Sequence, residues 1–166
     1  QIIISGHSCG GLLTLMLLSS YPEKVGGGIS YMQACFGKLS SAYKVKKVGP
    51  EKALAKFTKK RPGPAELRKR QINNIKSKNN VPVLAFTHPK DKYEGLLSDW
   101  LEEVPGVKRI IISDDFKING KSCVVKGDNW QENVSTRKNG GHEMNQGLCF
   151  QYYNPTIIEY IKSRTQ

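Results

Sequence analysis

The feature that most constrains this chain is the run Gly6-His7-Ser8-Cys9-Gly10-Gly11, set between an apolar triplet, Ile2–Ile4, and a leucine-rich stretch, Leu12–Tyr21. Ile2–Ile4 is β-branched and uninterrupted, as in a strand that a parallel sheet buries on both faces. In the stretch that follows, Leu12, Leu13, Leu15, Met16, Leu17 and Leu18 predict a helix apolar nearly all round, and therefore buried. Pro22 stops it. A chain that passes from strand to helix within so few residues must place the middle residue in a strained conformation. Glycine is then expected at both Gly6 and Gly10, because side chains there would collide. The return is a serine hydroxyl exposed at a helix N-terminus, where free N–H groups and the helix dipole favour a developing oxyanion.

The rest of the chain alternates in the same way. Val25–Met32, Val81–Thr87 and Val107–Ser113 read as further strands, the first opening in glycines. Pro50–Lys60, Pro64–Lys76, Glu94–Glu103 and Asn154–Arg164 read as helices, two of them opened by proline. Arg61-Pro62-Gly63-Pro64 is a break, and Ile118-Asn119-Gly120-Lys121 a hairpin turn. This order predicts an α/β fold with a mostly parallel sheet and flanking helices. A sheet that opens abruptly in a buried strand leaves an apolar edge, so 1–166 is expected to be the C-terminal portion of one domain whose first strands lie upstream.

A serine nucleophile needs a base, and the base an orienting acid. The chain has three histidines. His7 adjoins Ser8 in the turn and is expected to point away from it, as a packed or hydrogen-bonded turn residue. His88 follows a strand and is expected to be structural. His142, in the loop Asn139-Gly140-Gly141-His142, is placed to present an imidazole over the sheet edge, and is the expected base. Asp91 follows the strand ending at Thr87, and strand ends are where α/β folds gather functional groups. Asp99 is expected to be solvated; Asp114 and Asp115, ending the next strand, are the serious rivals to Asp91.

These pieces resemble the α/β-hydrolase superfamily, most closely dienelactone-hydrolase-like serine esterases. The resemblance rests on Gly-His-Ser-Cys-Gly-Gly, the helix running into Tyr21-Pro22-Glu23-Lys24-Val25, the strand-plus-acid stretch Val83–Tyr93, and Gly140-Gly141-His142. It implies Ser8 as nucleophile, Asp91 as acid, His142 as base and the Cys9 N–H as one oxyanion donor. It also implies a small ester or lactone substrate, with no metal or organic cofactor. A serine peptidase or acyltransferase would use the same three residues, and a hydrolase-fold protein without turnover would use its surface instead. The chain departs from the family in lacking the first strands and the loop that gives a second oxyanion donor. It also carries a polar insert around Lys117–Glu132, and Lys90 and Lys92 beside the acid.

The net charge of +12 is confined to one segment: residues 38–78 hold 14 Lys or Arg against Glu51 and Glu66, and the remainder is balanced. The segment falls where a cap over the active site is expected. It is either a solvated helical excursion or a cationic lid favouring anionic substrates or an acidic surface. Nucleic acid is not expected, because only Tyr43 and Phe57 provide aromatics and no binding motif accompanies the charge. A membrane-surface helix is disfavoured by a thin apolar face. No apolar run approaches the roughly 18 residues of a membrane span, and no basic lead precedes the first apolar run, though the natural start is expected upstream. Cys9, Cys35, Cys123 and Cys149 show no metal-ligand spacing and are expected as free or buried thiols, with Cys123–Cys149 the pairing left open.

Overall fold

The computed structural model describes residues 2–112, 117–118, 121–122, 141–142 and 147–165. Four parallel strands, β1 (Ile3–His7), β2 (Gly27–Tyr31), β3 (Val83–Thr87) and β4 (Val107–Ile111), lie side by side in chain order. Helix α1 (Cys9–Ser20) joins β1 to β2. Between β2 and β3 come α2 (Leu39–Ala42), α3 (Val45–Val48), α4 (Pro50–Lys60) and α5 (Pro62–Lys78). Two short 3₁₀ turns, Gly95–Leu97 and Asp99–Glu103, separate β3 from β4, where the sequence predicts one helix over 94–103. The expected hairpin is present as β5 (Lys117–Ile118) against β6 (Lys121–Ser122), and α6 (Gly147–Thr165) closes the chain. Starting earlier than the expected Asn154, α6 carries Pro155 in its interior, giving up a backbone hydrogen bond there without ending.

The pleat of β3 explains the layering. Its residues alternate between faces, so Val83 and Ala85 meet Leu12, Leu15 and Leu18 of α1 and Ile72 and Ile75 of α5. Leu84 and Phe86 point the other way, to Ile29, Ile112 and Ile157 of α6. Both faces are covered, as a parallel sheet requires. Each of these Val, Leu, Ile and Phe side chains contributes about 1.5–3 kcal/mol on burial.

Two expectations about apolar burial do not hold. Ile3 and Ile4 are only half-buried, since among the described residues β1 pairs with β2 alone. Helix α1 buries one stripe, while Leu13 and Leu17 are each about half exposed, since it packs on the described sheet through a single face. Among the described residues, no helix is long and apolar enough to cross a membrane.

The lysine-rich segment is held by its own small core of Leu39, Val45, Ala53, Phe57 and Ala65, joined by Leu97. Ile72 and Ile75 of α5 join it to the main core, and a buried ion pair adds to that link. Arg68 of α5 is buried and forms a two-pronged pair with Glu94, Nε to Oε1 at 3.0 Å and Nη2 to Oε2 at 2.7 Å, and Nη2 also donates to the Leu97 carbonyl at 3.3 Å. Burial pushes the Glu94 carboxyl up from its usual range, against the opposing pull of Arg68. Removing the guanidinium leaves a buried carboxylate without its partner, which costs about 3–5 kcal/mol. Arg68→Ala is therefore expected to lose that much stability in urea unfolding near neutral pH. A carboxyl whose folded pKa is raised destabilises the fold as it ionises, so the deficit should shrink as pH falls and Glu94 takes up a proton.

Candidate active site

Ser8 stands alone between β1 and α1, with φ 59° and ψ −123°. It is the N-terminal flanking residue of α1, a position where serine ordinarily turns its hydroxyl onto the helix's free N–H groups. Here it makes no such bond. Its backbone is instead fastened to β2 and the loop beyond: Ser8 N–H donates to the Tyr31 carbonyl at 2.9 Å, and Ala34 N–H donates to the Ser8 carbonyl at 3.1 Å. The hydroxyl is left for other partners.

The glycine argument holds at Gly6 and fails at Gly10. A Cβ on Gly6 would run into the Gly10 backbone and come within 2.8 Å of Thr14 Oγ1. At Gly10 a Cβ would meet nothing within 4 Å among the described residues, because Gly10 already lies in the first turn of α1. The second tight position is Gly11, where a Cβ would sit 2.7 Å from the Tyr31 carbonyl oxygen. The crowding comes from the helix crossing β2, which spacing around the serine does not reveal.

The structure brings Ser8, Asp91 and His142 together. His142 Nε2 lies 2.8 Å from Ser8 Oγ, and His142 Nδ1 lies 3.0 Å from Asp91 Oδ1. A carboxylate can only accept, so the proton sits on Nδ1 and Nε2 is left to accept from the serine. His142 and Asp91 are both buried, at 4% and 2% exposure, while Ser8 is half-buried. Asp91 is placed by a tight turn after β3, in which its N–H donates to the His88 carbonyl at 3.0 Å and its Oδ1 accepts from Tyr93 N–H at 2.8 Å.

The other candidates take supporting places. His7 does not merely turn away: its Nε2–H donates to the backbone carbonyl of His142 at 2.6 Å, so it anchors His142. His88 is buried, accepts the Lys90 N–H on Nδ1 at 3.0 Å, and packs where any side chain on Gly141, at φ +78°, would have to go. Asp99 is exposed and pairs with Arg109 at 2.9 Å, away from the three residues. Asp114, Asp115, Asn139 and Gly140 lie outside the described residues, as does most of Lys117–Glu132. Among the described residues, no group of three or more His, Cys, Asp or Glu could hold a metal.

Two features were not foreseen. Cys9 and Cys35 form a disulfide, so the expectation of free thiols is wrong for both; Cys123 and the Cys149 side chain lie outside the described residues. The two cysteines are 26 residues apart, and only the seating of the β2–α2 loop on the strand-helix turn brings them close. Tyr93 is the other: its ring stacks on His142 with centroids 4.0 Å apart and planes 26° apart. Burial also pushes the Tyr31 phenol, next to the elbow, up to about 12, so it stays neutral at physiological pH.

No protein-family model and no curated protein matches the chain in sequence. Solved structures do match in shape. A thermostable esterase aligns over 100% of the chain at TM-score 0.50 and 14% identity, and the monoacylglycerol lipase of Paleococcus ferrophilus over 99% at 0.53 and 13%. Metagenome-derived lipolytic enzymes described as LipS and LipT align over 97% at 0.53 and 11%. The chain has the α/β-hydrolase fold. It spans 31%, 69% and 64% of those three chains respectively. Within the α/β-hydrolase fold described here, Ser8 and Asp91 follow the C-terminal ends of β1 and β3, on the one edge where a parallel sheet collects its loops.

The different demands at the two glycines can be measured. Gly6→Ala is expected to cost on the order of 3 kcal/mol through overpacking against backbone, whereas Gly10→Ala should be neutral or up to about 1 kcal/mol stabilising within a helix. Thermal unfolding of the two variants checks the contrast.

Proposed function

We propose that the protein is a serine hydrolase that cleaves an ester or lactone through an acyl-enzyme formed on Ser8. The observation that carries this is the unbroken chain from Ser8 Oγ through the His142 ring to Asp91, at 2.8 and 3.0 Å. Ser8 Oγ attacks the substrate carbonyl as His142 Nε2 takes its proton. The tetrahedral oxyanion then forms beside the N-terminus of α1, where the Cys9 N–H serves as one donor. His142 returns the proton to the leaving oxygen, then draws one from the water that hydrolyses the acyl group. Asp91 holds the imidazole tautomer and balances its charge when it is protonated. The sequence pieces that match dienelactone-hydrolase-like esterases favour small esters and lactones. The esterase and lipase names of the structural relatives agree with ester chemistry.

Segment 38–78 is read as a cap whose cations favour anionic substrates or an acidic surface. Its start lies beside the three residues, with Lys38 Nζ over the Tyr93 ring that stacks on His142.

The test uses the full-length protein and p-nitrophenyl butyrate. A fluorophosphonate probe is expected to label Ser8, and Ser8→Ala to abolish both labelling and turnover. Asp91→Asn is expected to lower kcat by about 10³–10⁴-fold, because the imidazole loses its fixed tautomer. Wild-type rates in Ser8→Ala would remove the nucleophile from this site and with it the proposal.

A further inference from the structure

His142 is held end-on by two hydrogen bonds, one at each nitrogen. Both lie in the plane of the ring, close to a single axis. They fix how far the imidazole reaches from Asp91 to Ser8, but resist rotation about that axis poorly. Rotation about that axis leaves both bonds nearly straight, so the two bonds alone do not set the plane of the ring. A base that must take a proton and give it back needs a contact against its face.

We propose that Tyr93 is the positioning residue that supplies this contact, holding the plane of the His142 imidazole; the inference rests on the reading of His142 as general base. The Tyr93 ring lies stacked on the imidazole at 4.0 Å, nearer and flatter than the His7 ring, which is tilted by 49° at 4.9 Å. Tyr93 is itself unusually well fixed for a loop residue. Its N–H donates at 2.8 Å to Asp91 Oδ1, the oxygen that also receives His142 Nδ1–H. Acid, base and stacking ring are therefore registered on one atom. Its carbonyl accepts from Ser40 N–H at 2.7 Å, and the carbonyl of Lys92 accepts from Ser41 N–H at 3.0 Å, which docks α2 on the acid loop. Lys38 Nζ also lies over the Tyr93 ring, 5.5 Å from its centroid. A side chain needed only to fill space at this half-buried position would not require a backbone bond to the acid and a face-on contact with the base together.

The experiment compares Tyr93→Phe and Tyr93→Leu in the full-length protein, by kinetics and by proton NMR. The flat ring is the working part, so Tyr93→Phe should stay within about twofold of wild type. Tyr93→Leu should lose about 5- to 10-fold in kcat with KM within about twofold. The His142 Nδ1 proton, assigned by its absence in His142→Ala, is expected as a downfield resonance in wild type and Tyr93→Phe, and as broadened or lost in Tyr93→Leu. Tyr93→Met, which fills similar space without a flat face, replaces Tyr93→Leu should that variant fail to fold. An equal kcat loss in Tyr93→Phe and Tyr93→Leu overturns the proposal, as does a resonance equally sharp in Tyr93→Leu. If wild type hydrolyses no ester, the proposed function fails, and the resonance still decides the role of Tyr93.

Discussion

Everything at the candidate site depends on the reversal of the chain at Ser8. A non-glycine residue at φ 59° costs on the order of 1–3 kcal/mol and persists only where its surroundings over-determine it. Here they do so from three directions. The Ser8 N–H is bound to Tyr31 at the end of β2, and its carbonyl to Ala34 just beyond. The next residue, Cys9, is bonded through sulfur to Cys35, so the loop after β2 is covalently tied to the turn it supports. Gly6 lets the backbone of α1 pass close over β1. The strained conformation takes the serine hydroxyl away from the capping role it would have at an ordinary helix start and delivers it to His142. Strain at Ser8 and release of its hydroxyl are one event.

The parallel sheet then brings Asp91 to the same place. With β2 paired to β1 at His7 and Tyr31, and to β3 at Tyr31 and Phe86, the ends of β1 and β3 stand two strand spacings apart on one edge. Asp91 needs only the short turn after Thr87 to come within range. His142 arrives from far along the chain, and its seat is made by side chains from both loops. His7 holds the carbonyl of His142, and His88 packs under Gly141. Two histidines that take no direct part in the hydrogen-bonded chain thus fix the position of the third.

What could be read from the sequence follows the range over which each feature is determined. The strand-turn-helix at Ser8 is settled by about six adjacent residues, so its pattern is visible. Asp91 is visible because a strand end is a local signal with a structural consequence. The Cys9–Cys35 pairing, the Arg68–Glu94 pair and the Tyr93–His142 stack each join segments 26 or more residues apart, and nothing in their local spacing announces them. The error at Gly10 has the same origin. Spacing predicts a collision symmetric about the serine, whereas the crowding is set by where α1 crosses β2, which falls on Gly11.

The charge of segment 38–78 looks uniform in the sequence and is not uniform in the fold. Arg68 is buried among its otherwise half-buried or exposed cations, and it is spent on Glu94, three residues beyond Asp91. Two carboxylates on so short a stretch repel, and the Asp91 charge adds to the burial that pushes Glu94 upward. A guanidinium held to Glu94 by two bonds neutralises the second carboxylate where it stands, so a single uncompensated carboxylate faces the imidazole. It also ties α5 to the loop that carries Asp91. The other lysines and arginines can vary with little effect on the fold, since exposed charges contribute little. Arg68 cannot, because it closes the electrostatics of the loop from which Asp91 reaches His142.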